Sequence, residues 1–178
     1  MRPRPFSLAI AATAAVLGIG LAVPGAASAT PGHPIGASTG TGTAKTNRTG
    51  ESLAGEVVAL TNTQRRSHGC PALTINRTLT TVAGAHSRDM AARRFFAHVN
   101  PDGRSPFDRM RAAGYRYSSA AENIAAGYST PRAVVIGWMN SPDHRANILN
   151  CSLTQIGVGY ATGGSYGNYW TQDFATPR

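Results

Sequence analysis

Near the C-terminus of the chain, Ile156, Val158 and Tyr160 alternate with Gly157 and Gly159. A period of two belongs to a β-strand, and it puts both glycines on one face. A strand face without side chains marks the close approach of another backbone or a helix. Gly163-Gly164-Ser165-Tyr166-Gly167 is turn chemistry, and beyond it Trp170, Gln172 and Phe174 share one face of a following strand. The C-terminal part is therefore a β-hairpin, and something must pack tightly on its glycine side.

The segments upstream are mostly helical. Leu53, Val57 and Leu60 recur at helical spacing, Val58 widens the stripe, Ser52 is placed to cap the start and Gly69 to end it. A second helix starts near Asn76, with Leu79, Val82, Ala83, His86 and Met90 along one face. Asn100-Pro101-Asp102-Gly103 is a turn. Ser105-Pro106 opens a third helix, with Asp108 in its first turn and Gly114 at its end. Glu122-Asn123-Ile124-Ala125 is a short strand. Thr130-Pro131 and Ser141-Pro142 repeat the cap-plus-proline start. They give a helix that buries Val134, Val135 and Trp138, then a shorter one reaching about Leu149. Helices, one strand among them and a final hairpin make an α+β sandwich in a single domain over residues 51–178.

The N-terminus is of another kind. A basic start with Arg2 and Arg4 precedes an apolar run from Leu8 to Val23 broken only by Thr13, and Ala27-Ser28-Ala29 supplies a small-x-small cleavage pattern. Residues 1–29 have the form of a secretory signal peptide. The run is short for a membrane anchor, which needs roughly 20 apolar residues. No later stretch is apolar enough to cross a bilayer. Residues 30–50, rich in Thr and Gly with Ile35 as the only large apolar residue, are expected to be a flexible linker. Gly36-Ala37-Ser38-Thr39-Gly40 matches a serine-hydrolase elbow, but no strand or helix pattern flanks it, so the match is fortuitous. Asn47-Arg48-Thr49 and Asn76-Arg77-Thr78 are sequons for a host that glycosylates.

Net charge is +9, from 17 Lys and Arg against 8 Asp and Glu. Arginines spread along an exported chain do not make a nucleic-acid footprint. The two cysteines, Cys70 and Cys151, are expected in an oxidising compartment. One internal disulfide is the expected arrangement, worth roughly 4–5 kcal/mol in the chain-entropy model. Two buried thiols or a bridge to another chain are the alternatives.

Six segments in order carry a family resemblance. They are His86-Ser87-Arg88-Asp89-Met90-Ala91, Phe95 to Gly103, Ala121-Glu122-Asn123-Ile124-Ala125, Gly137 to Leu149, Ile156-Gly157-Val158-Gly159-Tyr160, and Tyr169-Trp170-Thr171-Gln172-Asp173-Phe174. Together they resemble the bacterial branch of the CAP superfamily (SCP-like domains), which includes cysteine-rich secretory proteins, antigen 5 and pathogenesis-related 1 proteins. The resemblance runs from about Val57 to Phe174. It implies a three-layer α-β-α sandwich with a shallow cavity. In eukaryotic members two His and two Glu line that cavity and hold a divalent metal, often zinc. His98 and Glu122 match the first His and the first Glu. Ser141 and Ser152 stand at the other two positions, so half the tetrad is missing. The bacterial Ser-Pro-x-His-Arg segment is present as Ser141 to Arg145.

The candidate site is accordingly His98, Glu122 and His144. Two imidazoles and a carboxylate are enough for a zinc ion with one open position. The same groups also suit a hydrogen-bonded polar cluster in which Glu122 sets the imidazole tautomers. His86, Asn123, Ser141 and Arg145 are expected around them. His86 sits on an apolar helix face, Asn123 binds backbone near its strand, Ser141 caps its helix, and Arg145 pairs Asp143 or a cavity carboxylate, or is solvated. Trp138, Trp170 and Phe174 belong to the core. Three functions follow. One is a secreted, extracellular and monomeric binding module for a lipid-like or cell-envelope ligand. Another is a metal-dependent hydrolase built on His98, Glu122 and His144. The last is an arginine-rich adhesion domain.

Overall fold

A computed structural model describes residues 42–178, with side chains from Gly50 onward. The expected signal peptide and residues 30–41 of the expected linker lie outside the described residues. The elements run α1 (Gly42–Ser67), β1 (Thr74–Ile75), α2 (Arg77–Arg93), α3 (Pro106–Ala112), β2 (Tyr117–Ala126), α4 (Pro131–Met139), α5 (Pro142–Ile148), β3 (Gln155–Gly163) and β4 (Gly167–Pro177).

The sheet order is β1-β3-β4-β2. β3 and β4 form the expected hairpin, β2 pairs antiparallel with the other side of β4, and β1 pairs parallel with β3 at Gln155 and Ile156 only. The register aligns Gly157, Asp173 and Glu122 in one row and Val158, Gln172 and Asn123 in the next. Adjacent rows point to opposite faces.

Helix α2 covers the glycine face. A Cβ built on Gly157 stands 2.1 Å from the backbone of Leu79 and Thr80, and one on Gly159 stands 2.3 Å from that of Ala83 and Gly84. Leu79, Val82, Met110, Tyr115 and Ala175 form the core where α2 and α3 meet this face. The opposite face carries the larger core, in which Ala54, Val57 and Val58 of α1, Val134, Val135 and Trp138 of α4 and Ile148 of α5 pack on Ile156, Val158, Trp170 and Phe174. These are the three layers of the α+β sandwich. Both buried indoles are satisfied: Trp138 Nε1–H donates to the Ile124 carbonyl at 3.1 Å and Trp170 Nε1–H to that of Tyr128 at 2.8 Å.

Local chemistry sets most boundaries. Asn76 caps α2 by accepting from the N–H groups of Thr78 and Leu79, and its Nδ2 donates to Gln155 at 2.9 Å. The folded sequon asparagine is therefore in use on both side-chain atoms. Ser105 and Asp108 form a capping box on α3, and Thr130 caps α4. Ser141 occupies the N-cap position of α5 but makes no side-chain cap bond, contrary to expectation; Pro142 alone starts that helix. Helix α1 begins at Gly42 rather than at Ser52, because no proline interrupts the stretch between them. Its first residues belong to the stretch expected as linker. Strand β2 is ten residues long. Pairing with β4 from Tyr117 onward defines it, and no apolar alternation marks that pairing in advance.

Cys70 and Cys151 are disulfide-bonded, with Cα atoms 5.0 Å apart and 81 positions of separation in sequence. Beside them Arg65 is wholly buried. Its guanidinium donates to the carbonyls of Pro71, Ile148, Asn150 and Leu153 at 2.8–2.9 Å. Arg65 thus ties the end of α1 to the loop before β3.

Candidate functional site

His98 and Glu122 meet as expected. The His98 Nδ1–H donates to Glu122 Oε1 at 2.7 Å; the imidazole is 46% exposed and the carboxylate 1%. That bond puts the neutral ring's proton on Nδ1 and leaves Nε2 as an acceptor toward solvent. Glu122 Oε2 accepts from Arg109 Nη2 at 2.5 Å, and Arg109 Nη1 donates to the His98 carbonyl at 2.7 Å. Arg109, on α3, therefore holds both partners. Sequence patterning did not single it out.

Asp173 is the second unforeseen member. It lies opposite Glu122 on β4, fully buried, and neither of its oxygens has a hydrogen-bond partner. Burial, and then the Glu122 charge, push its carboxyl well above the usual carboxylate range. A signal was available: Asp173 alternates with Gln172 and Phe174, so it had to face the glycine side, where a charge is costly. His86, also buried, completes this layer. Its Nε2–H donates to the Ala97 carbonyl at 3.0 Å, and its Nδ1 has no partner. Burial above all lowers the His86 pKa, and Glu122 opposes that shift.

Of the other expected residues, Asn123 lies across the sheet. Asn123 follows Glu122 in β2 and faces the α1–α5 side. Its Nδ2 donates to the His144 carbonyl at 3.1 Å and to Gln172 Oε1 at 3.2 Å, and its Oδ1 accepts from Asn147 at 2.9 Å. Gln172 in turn donates to Thr61 of α1 at 2.7 Å. This polar line joins α5, β2, β4 and α1. His144 is half-buried. Burial, and then the proximity of His98, lower its pKa, with Asp143 opposing. Arg145 is exposed and makes no ion pair among the described residues. Ser141 and Ser152 offer no imidazole or carboxylate in place of the second His and Glu.

These side chains do not fit a divalent metal. Both Glu122 oxygens are occupied, one of them by the Arg109 cation. Among the described residues no three His, Cys, Asp or Glu side chains stand close enough to share an ion. Of the three expected residues only His98 and Glu122 are hydrogen-bonded to each other, and with Arg109 they form a His–Glu–Arg chain that fixes one exposed imidazole.

A groove lies on the far side of the sheet. β2 and β3 flank β4 on opposite sides, so the histidine cluster and the outer edge of β3 are apart. Along that outer edge, α1 and α2 form the walls of a groove of about 1280 Å³. Leu53, Ala54 and Val58 line the α1 side, Val158 and Tyr160 the floor, and Ile75 one end. Arg77 and Arg88 of α2 stand on the opposite wall.

With this geometry, the chain can be set against known proteins. The family model described as the cysteine-rich secretory protein family, CAP, matches residues 58–174. The chain belongs to the CAP family. The CAP domain is 49% identical over 119 residues to the uncharacterized protein YkwD of Bacillus subtilis, covering 67% of this chain and 45% of that one. It is 36% identical over 119 residues to the uncharacterized membrane protein YlbC of the same organism, covering 67% and 33%. Among solved structures, an extracellular SCP-domain protein of Bacillus anthracis superposes with a TM-score of 0.69 at 32% identity, covering 78% of this chain and 45% of that one. The chain thus spans less than half the length of each of these relatives. No helix among the described residues is long and apolar enough to cross a membrane.

Proposed function

We propose that this CAP domain is an exported, non-catalytic binding module whose ligand lies in the groove between α1 and α2. The groove carries the reading. It is large for a small-molecule pocket, which runs to about 1,000 Å³, it is mostly apolar, and it opens along a strand edge, so it suits an extended ligand of the cell envelope. The N-terminal signal pattern, the Cys70–Cys151 bridge and the extracellular description of the Bacillus anthracis relative support export. Hydrolysis is the weaker reading. His98 is a well-oriented base, but among the described residues no hydroxyl or thiol hydrogen-bonds to its ring and no three ligands gather for a metal.

The test is co-sedimentation of the mature chain with isolated bacterial cell walls and, separately, with phosphatidylglycerol vesicles. Gly55 lies on the α1 wall with open space around its Cβ position, so Gly55→Trp plugs the groove without a clash. Gly55→Trp is expected to weaken binding at least tenfold, while His98→Ala and chelators leave it unchanged. The opposite pattern, with His98→Ala or chelation abolishing binding and Gly55→Trp harmless, overturns the reading.

A further inference from the structure

The floor of the groove is backbone. On the outer edge of β3, the Ile156 carbonyl accepts the Asn76 N–H at 2.9 Å, and the Thr154 carbonyl accepts that of Thr74 at 3.0 Å. Strand alternation then points the N–H and C=O groups of Val158, Tyr160 and Thr162 to the same edge. β1 reaches only Ile156, because the chain turns into α2 at Asn76. Among the described residues no strand continues past it. Residues 157–163 thus present roughly 20 Å of unpaired edge at the bottom of a slot already aligned with β1. Proteins ordinarily cover or blunt such an edge; here the two helices leave it open between them.

We infer that the open edge of β3 is a strand-addition site, and that its partner is an extended polypeptide segment in which apolar residues alternate with acidic ones. This rests on the groove being the binding site and names the class of its ligand. A guest strand following on from β1 turns alternate side chains toward opposite walls. One set meets Leu53, Ala54 and Val58. The other meets Thr80, Thr81, Arg77 and Arg88. Neither Arg77 nor Arg88 makes an ion pair among the described residues, which leaves two cations for guest carboxylates. Glu51 lines the groove as well, and the two arginines outweigh it.

The backbone also decides between peptide and lipid. An acyl chain in the slot removes water from the edge groups of Val158, Tyr160 and Thr162 without replacing the lost hydrogen bonds, and buried backbone groups left without partners oppose binding. A peptide strand pairs them. Pairing with the β3 edge of a second copy offers no carboxylate to the arginines, since Gln155–Gly163 contains no Asp or Glu.

The experiment is selection of random 12-residue peptides on the mature chain, with counter-selection on Gly55→Trp. Amide hydrogen exchange is then measured with the enriched peptides. The expected result is a family alternating apolar and acidic residues that slows exchange at Val158, Tyr160 and Thr162 at least tenfold. It binds at least tenfold more weakly to Arg77→Glu/Arg88→Glu, and loses binding when alternate peptide amides are N-methylated. Thermal melts confirm that each variant is folded. Enriched peptides that leave those three amides unprotected, or whose N-methylated forms bind equally well, overturn strand addition. No enriched family, with oleate bound in a Gly55→Trp-sensitive manner, also overturns it but leaves the binding-module reading intact. Failure of peptides, oleate, cell walls and vesicles alike removes both.

Discussion

Replacing Gly157 by alanine drives a methyl carbon to 2.1 Å from the Leu79 carbonyl carbon and the Thr80 nitrogen. Carbon contacts settle near 3.5–4.0 Å, so helix and strand must separate by more than 1 Å at a point where neither has a side chain to rotate away. Overpacking of a well-filled core typically costs about 1–3 kcal/mol. With backbone on both sides the top of that range applies, and a loss of about 3 kcal/mol is expected. For a domain near this size, 1 kcal/mol moves Tm by about 2–4 °C, so Gly157→Ala is expected to melt roughly 6–12 °C below the parent chain. Gly55→Ala is the control. It sits in α1 with nothing within 4 Å of its Cβ position, and exchange of an exposed helical glycine for alanine stabilises by about 0.5–1 kcal/mol. Thermal unfolding followed by circular dichroism, with urea midpoints beside it, measures both. A Gly157→Ala protein within 1 kcal/mol of the parent refutes the claim that backbone contact on the glycine face holds α2 to the sheet.

Other consequences are as direct. Reduction of the disulfide, or the double substitution Cys70→Ser/Cys151→Ser, is expected to remove about 2–5 kcal/mol by urea titration; an unchanged midpoint contradicts a constraining role. Arg65→Met leaves the carbonyls of Ile148 and Leu153 buried without a donor, at about 1–3 kcal/mol each, so a loss of at least 2 kcal/mol is expected in the same assay. Asp173 tests the buried cluster through pH. Its folded pKa lies above the unfolded value of 3.8, so its contribution is fully present below that value and is lost as pH rises through the folded pKa. Asp173→Asn escapes this loss. The stability difference between Asp173→Asn and the parent should therefore grow in favour of the variant as pH rises from about 4 toward the folded pKa. The depressed His86 pKa acts in the opposite sense in both proteins and cancels in the difference. A constant difference across that window contradicts the assignment.

The histidine cluster shows where patterning stops. His98 and Glu122 were identifiable because a family motif marked them, and the structure joins them through one short hydrogen bond. Arg109 was not, because an arginine in a short surface helix looks like any other solvated cation until α3 folds over β2. Asp173 was half visible, since its parity in β4 assigned it to the glycine face, but only the register opposite Glu122 reveals a carboxylate pair. Asn123 moved the other way. Next to Glu122 in sequence, it faces the opposite side of the sheet, because consecutive strand residues point apart.

By itself the sequence determined the hairpin, the capped helices α2 to α4, the α+β class and the close packing on Gly157 and Gly159. These rest on interactions within a few residues, or on the simple absence of a side chain. Tertiary structure alone decided the length of β2, the burial of Arg65 against four carbonyls and the groove on the β3 edge. Each depends on which distant strand or loop comes alongside. The unpaired edge beyond Ile156 exists because β1 stops after two residues and α2 starts at Asn76. That cap is readable from sequence; the edge it leaves open appears only when β3 is placed beside it.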